Sequence, residues 1–211
     1  MESTEFKPTI ERGMPEEFEG RWQKKYLDEL KIKAIRALDE RSVSYRKFFV
    51  GVAILTYNTE KRKYRIDFCG NFKPVKDDSE EGETKRCAER RALEKAKKYG
   101  SDVVVGIVIA SPRTDTEKTE EKKEKTNSTL PSCDECCKMY GQEDMVKPWT
   151  KVLTIKIRKF DKIRDKNIFE DLKIVDEETR EVKPVDLDQF IVAQEESDIQ
   201  TILAAKEQND S

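Results

Sequence analysis

The chain has 211 residues, of which 36% are apolar and 41% charged, and its net charge of −2 comes from 42 basic and 44 acidic side chains. The interspersed signs argue against a strong pull toward nucleic acid or an anionic membrane surface. Histidine is absent, which excludes His-based triads, His-liganded metals and His acid–base work.

Residues 1–21 are polar with scattered Pro and Gly and are expected to form a loose arm. From Trp22 to Leu38 the apolar positions Trp22, Tyr26, Leu30, Ala34, Ala37 and Leu38 recur at helical spacing, which predicts an amphipathic helix. "FFVGVAILTY" (48–57) is β-rich and suits a buried strand, and "KYRIDFCG" (63–70) pairs with it as a hairpin around "NTEKR". A helix over 86–99 carries Ala88, Ala92, Leu93 and Ala96 on one face and ends near Gly100. "DVVVGIVIAS" (102–111) is continuously apolar, as a central strand covered on both faces would be.

Residues 112–129 are a low-complexity charged insertion, expected to be a mobile surface loop because they cannot bury enough apolar area to offset their ordering entropy. "CDECCKMYG" (133–141) predicts a short helix, "KVLTIKIRKF" (151–160) a strand, 171–184 a short strand and turn, and 184–191 the start of a final helix. Residues 193–211 hold Ile199, Ile202 and Leu203 in an otherwise polar stretch, taken as a C-terminal tail. Strands alternating with helices imply one α/β domain over 22–192, a three-layer α/β/α sandwich about a mixed sheet. No stretch suits a signal peptide or is long enough to span a membrane, so a cytoplasmic setting with reduced thiols is expected.

In that setting five cysteines suggest metal or catalysis more than disulfides. Cys87 stands where a helix begins, and Cys133 and Cys136 form a C-x-x-C at the start of another. Helix N-termini favour thiolates through their partial positive charge and free N–H groups. Three thiolates drawn from two such ends would bind Zn²⁺ and leave the fourth tetrahedral position open, the mark of a catalytic site. Glu89, two residues after Cys87, can then serve a water at that position as proton acceptor and donor. Arg90 follows as a cation that would offset the net negative charge of the thiolate set. Cys69 and Cys137 are expected to be small buried residues, and Tyr140 to be packing.

"CAER" (87–90) with the later C-x-x-C resembles the zinc-dependent cytidine deaminase-like proteins, in the all-cysteine version of the small cytidine and blasticidin-type deaminases. "YRKFFVGVAIL" (45–55) is similar to the family's Tyr-Ser-Lys-Phe-x-Val-Gly-Ala-Ala segment, and "VDLDQFI" (185–191) more faintly to its closing segment. The resemblance covers roughly residues 28–190. It implies a hydrolytic deaminase of a free cytosine nucleoside or related aminopyrimidine, with zinc held by Cys87, Cys133 and Cys136. A zinc-bound hydroxide would attack the amino-bearing carbon, with Glu89 as the proton shuttle. Substrate contacts would fall on Phe48, Asn71, Ala88 and Ser132, with Arg90 beside the ligands. A homotetramer whose neighbours complete each pocket is implied as well. Two departures stand out: Ser132 occupies the place where the family carries Pro, and only Asn71 of "GNFKPVKDD" (70–78) matches the family's ribose-contacting segment. A polynucleotide deaminase, disfavoured by the charge balance and 8% aromatic content, and a zinc-binding interaction or regulatory module without turnover are the competing classes.

Overall fold

The computed structural model describes residues 13–38, 49–71, 87–112, 132–157, 187 and 190–209. In chain order these form α1 (Glu16–Glu19), α2 (Lys24–Ala37), β1 (Gly51–Asn58), β2 (Lys63–Gly70), α3 (Ala88–Lys98), β3 (Val103–Pro112), α4 (Asp134–Gln142), β4 (Val146–Ile157), β5 (Ile191–Asp198) and α5 (Ile199–Asn209). The strands make one sheet in the order β2-β1-β3-β4-β5. Only β3 and β4 run parallel; the other neighbours are antiparallel. The apolar run predicted as a central strand is the middle strand β3, buried along nearly its whole length, as its composition requires.

The sheet is covered on both faces, giving an α/β/α arrangement. On one side Leu30, Ala34, Ile35 and Leu38, in and just after α2, pack on Ala53, Leu55, Val108, Ala110 and Ile155. Each large aliphatic side chain buried there contributes roughly 1.5–3 kcal/mol. Two glycines allow the close approach. A Cβ at Gly51 would lie 2.1 Å from the Ala34 carbonyl oxygen, and one at Gly106 would lie 2.0 Å from the Trp22 ring. On the other side α3, α4 and α5 supply Ala88, Ala92, Leu93, Ala96, Cys136, Met139, Tyr140 and Ile199 to a second core over Val52, Ile54, Ile107, Ile109 and Val152.

Two segments depart from the sequence-based expectation. Within the arm assigned to 1–21, residues 16–19 form a helical turn whose Phe18 is buried and stacks on Trp149, ring centroids 5.5 Å apart. Within the stretch taken as a polar tail, 193–209 form most of β5 and all of α5. Strand β5 hydrogen-bonds to β4, and α5 seats Ile199, Ile202 and Leu203 against the second core. The last helix runs from Ile199; residues 184–186, 188 and 189, on which the sequence places the start of a final helix, lie outside the described residues. The charged insertion, apart from Pro112, and the expected strand over 171–184 lie outside the described residues.

The register sets the position of the site. Gly70, the last residue of β2, and Ala110, near the end of β3, both pair with Gly51. The two strands therefore finish level, at one end of the sheet. The chain leaving β2 next appears at Cys87 and α3, and the chain leaving β3 next appears at Ser132, Cys133 and α4. Both helices begin at that shared end and lie on the same face.

Candidate metal centre

Cys87 is the N-cap of α3 and Cys133 the N-cap of α4, both with extended backbone and neither with a side-chain capping hydrogen bond. Cys136 follows one turn into α4. The Sγ atoms of Cys87, Cys133 and Cys136 all lie within 4.8 Å of one another, and those of Cys87 and Cys133 are 3.6 Å apart. A tetrahedral zinc with Zn–S bonds of about 2.3 Å needs sulfurs about 3.8 Å apart. The spacing and the all-thiol donor set thus both fit Zn²⁺ or another thiophilic ion. The cluster has an open side: Cys136 is buried, Cys87 half-buried and Cys133 exposed. Burial raises the Cys133 thiol above its ordinary value, and a hydrogen bond with Cys87, followed by burial, raises Cys136 further. Metal binding would have to displace those protons.

Glu89 lies in the first turn of α3 and is 5% exposed. Burial dominates its carboxyl and pushes its pKa from 4.5 up to about 7; a hydrogen bond from its own backbone N–H opposes the rise, the Cys87 thiol adds to it, and a hydrogen bond from Cys136 opposes it more weakly. It sits among the thiols without belonging to the ligand triad. The proton acceptor and donor read from the sequence is thus a buried group that gains and loses a proton near neutrality.

Of the other residues singled out from the sequence, Ala88 and Ser132 directly adjoin the ligands Cys87 and Cys133 in the chain. Ala88 is fully buried in the first turn of α3. Ser132 is buried, with Oγ 3.4 Å from Tyr140 Oη, and its carbonyl accepts the Cys137 thiol at 3.7 Å. Asn71 closes the end of the hairpin: its N–H donates to the Val50 carbonyl at 2.9 Å, and its Oδ1 accepts the Val50 N–H at 3.0 Å. Arg90 is exposed and lines a surface groove of about 460 Å³ between α3 and α4, with Leu93, Lys97, Lys138 and Met139. Its neighbour Arg91 turns inward, and Nη1 donates to the Gly70 carbonyl at 2.5 Å, tying α3 to the end of β2. Phe48 lies outside the described residues.

Two residues near the site carry roles that spacing alone did not assign. Tyr140 is one turn after Cys136 on the buried face of α4, and its hydroxyl reaches back to Ser132. Lys206 of α5 pairs with Asp134, the first residue of α4, and holds that carboxyl below its ordinary range. The i, i+4 relation of Cys136 to Tyr140 was visible in the sequence, whereas the Lys206 contact depends on a helix that was not.

No family model matches the sequence, and no curated protein matches it. Among solved structures, cytidine deaminase from Burkholderia pseudomallei is similar at 20% identity and a TM-score of 0.41, over 61% of this chain and 84% of that one. The Mycobacterium leprae enzyme gives 18% identity and 0.40, over 60% and 85%. The Mycobacterium tuberculosis enzyme gives 16% and 0.40, over 63% and 83%. The thiol cluster itself, not this likeness, carries the chemistry.

Proposed function

We propose that this chain is a zinc-dependent hydrolytic deaminase of the cytidine deaminase type, acting on a free cytosine nucleoside or a related aminopyrimidine. The observation that carries the reading is the buried Glu89 carboxyl set among three convergent thiols from two helix N-termini. Cys87, Cys133 and Cys136 are the metal ligands. The bound metal supplies Lewis acidity that makes water nucleophilic at neutral pH. Glu89 takes one proton of the attacking water at its carboxylate and delivers it to the ring nitrogen beside the amino-bearing carbon; it then takes the water's second proton and passes it to the amine, which leaves as ammonia while the carbonyl forms. Its burial keeps bulk water away from that transfer.

The substrate ring is bounded by Ala88 and by the backbone at Ser132, with Phe48 against the base and Asn71 toward the sugar. Arg90 offsets the charge of the ligand set. A cytoplasmic setting keeps the thiols reduced, and the domain is proposed to assemble as a homo-oligomer, a tetramer, with neighbours completing the pocket. No helix among the described residues is long and apolar enough to cross a membrane.

One observation favours a second reading, a zinc-holding interaction module without turnover. The Ser132 carbonyl and the Asn71 Oδ1, two groups a substrate would use, are already engaged by Cys137 and Val50. Ammonia release from cytidine, deoxycytidine and cytosine by zinc-loaded protein separates the two. Release that disappears in Glu89→Gln while zinc is retained supports the deaminase. Zinc bound with no release from any of the three favours the module, and release undiminished in Glu89→Gln overturns the proposed mechanism. Retention of RNA or single-stranded DNA on a filter at low salt would point instead to a polynucleotide substrate.

A further inference from the structure

We propose that Tyr140 is a positioning residue for the metal centre, its phenol acting through Ser132 to fix the turn that presents Cys133. The inference rests on the metal-centre reading above. Of the three thiols, Cys133 is the exposed one, so packing does least to hold it. As N-cap of α4 it also lacks a side-chain capping bond. Its Sγ meets Cys87 Sγ at 3.6 Å and its carbonyl accepts the Cys137 N–H at 2.9 Å, and the residue before it is tied down as well. Ser132 is gripped at both of its polar ends: Oγ by Tyr140 Oη at 3.4 Å and the carbonyl by the Cys137 thiol at 3.7 Å. Both partners lie further along the same helix, so α4 folds its own side chains back onto the residue that leads into it.

The hydroxyl is not explained by packing. Tyr140 is 2% exposed in the second core, and a phenylalanine would fill the same space without burying a polar atom. A phenol buried without a partner is costly, so its presence implies a hydrogen bond that matters. Ser132, 5% exposed, is the partner the structure gives it. Fixing Ser132 limits the backbone at Cys133, and with it the direction of Sγ toward Cys87 and Cys136. Groups that orient ligands in this way typically change metal binding when lost.

The test is zinc release from the full-length, zinc-loaded protein to a chromophoric chelator, read alongside the charge-transfer and ligand-field bands of the Co²⁺ form. Tyr140→Phe and Ser132→Ala are each expected to speed release by about tenfold and to alter the Co²⁺ bands. The double variant should be no faster than either alone, because both remove one interaction. Ile35→Val, a conservative core change on the opposite face of the sheet, should lower the urea midpoint without changing release. Release at the wild-type rate in Tyr140→Phe overturns the inference. If that variant does not fold, Ser132→Ala decides in the same way. Additive effects in the double variant also overturn it. A wild-type chain that holds no zinc overturns the metal-centre reading itself, and this inference with it.

Discussion

Cys87 Sγ and Cys133 Sγ stand 3.6 Å apart although 46 residues separate them in the chain. Each caps a helix that begins at the same end of the sheet, and Gly51 sets the level of both preceding strands. The pair is therefore a product of strand register, and its chemistry can be tested residue by residue.

Replacing Cys133 by Ser should remove most of the bound zinc. A hydroxyl is a harder and less acidic donor than a thiol. Zinc analysis after dialysis against a weak chelator should fall from about one ion per chain to well under half. Cys69→Ser, at a buried thiol outside the triad, should keep its zinc. Equal loss in both would remove the assignment of ligands.

In metal-free protein, Glu89 makes stability fall as pH rises. Its folded pKa of about 7 exceeds the ordinary 4.5. Between those values the folded chain binds more protons than the unfolded one. The favourable state of this group is thus fully present below about pH 4.5 and lost as pH rises through about 7. The loss is about 3 kcal/mol. Glu89→Gln should flatten this dependence and unfold at a higher urea concentration than wild type at pH 8. A wild-type profile that rises from pH 5 to 8 by way of this residue, and falls in the variant, would contradict the sign.

Gly51→Ala should destabilise the domain by about 3 kcal/mol or more. The new Cβ would meet the Ala34 carbonyl at 2.1 Å and the Leu38 nitrogen at 2.9 Å, both backbone atoms that cannot swing aside. The expected sign is a lower denaturant midpoint with an unchanged slope. A midpoint within error of wild type would mean that α2 does not sit on β1 as described.

Ile199→Ala should cost about 3 kcal/mol. Ile199 is 2% exposed and belongs to the core that backs α4. A substitution in a solvated tail would cost almost nothing, so thermal unfolding of this variant separates the two accounts of the C-terminal segment.

How far the sequence could be read follows from what each element buries. Helix α2, the hairpin and β3 carry their own signal: apolar positions at helical spacing, alternation, or a continuous apolar run. The triad was legible because C-x-x-C and Cys-x-Glu are local patterns at helix starts. Strand β5 was not, because "IVAQEESD" pairs through its backbone along β4 while its side chains stay half-exposed or exposed. An edge strand of that kind shows neither alternation nor a hydrophobic run. Helix α5 offers three aliphatic side chains to the core, too few to stand out from a polar background. Arg90 and Arg91 are adjacent and chemically identical, and helix phase alone turned Arg91 inward toward Gly70. At Ser132 nothing local announced the partner of its hydroxyl, which lies eight residues on, in Tyr140.

The parallel pairing of β3 with β4 has a consequence for the order of events during folding. Parallel neighbours require a crossover, and here the crossover contains α4 with two of the three thiols. Cys87 enters from the opposite side of β3, through β2 and α3. A nascent chain cannot assemble the cluster until residue 136 has emerged and the strands on both sides of β3 have found their places. Where the sheet forms first, the entropic cost of bringing these distant segments together is met before any ion is bound. Acquisition of metal would then act as a late checkpoint, reporting that both halves of the domain have closed around their central strand.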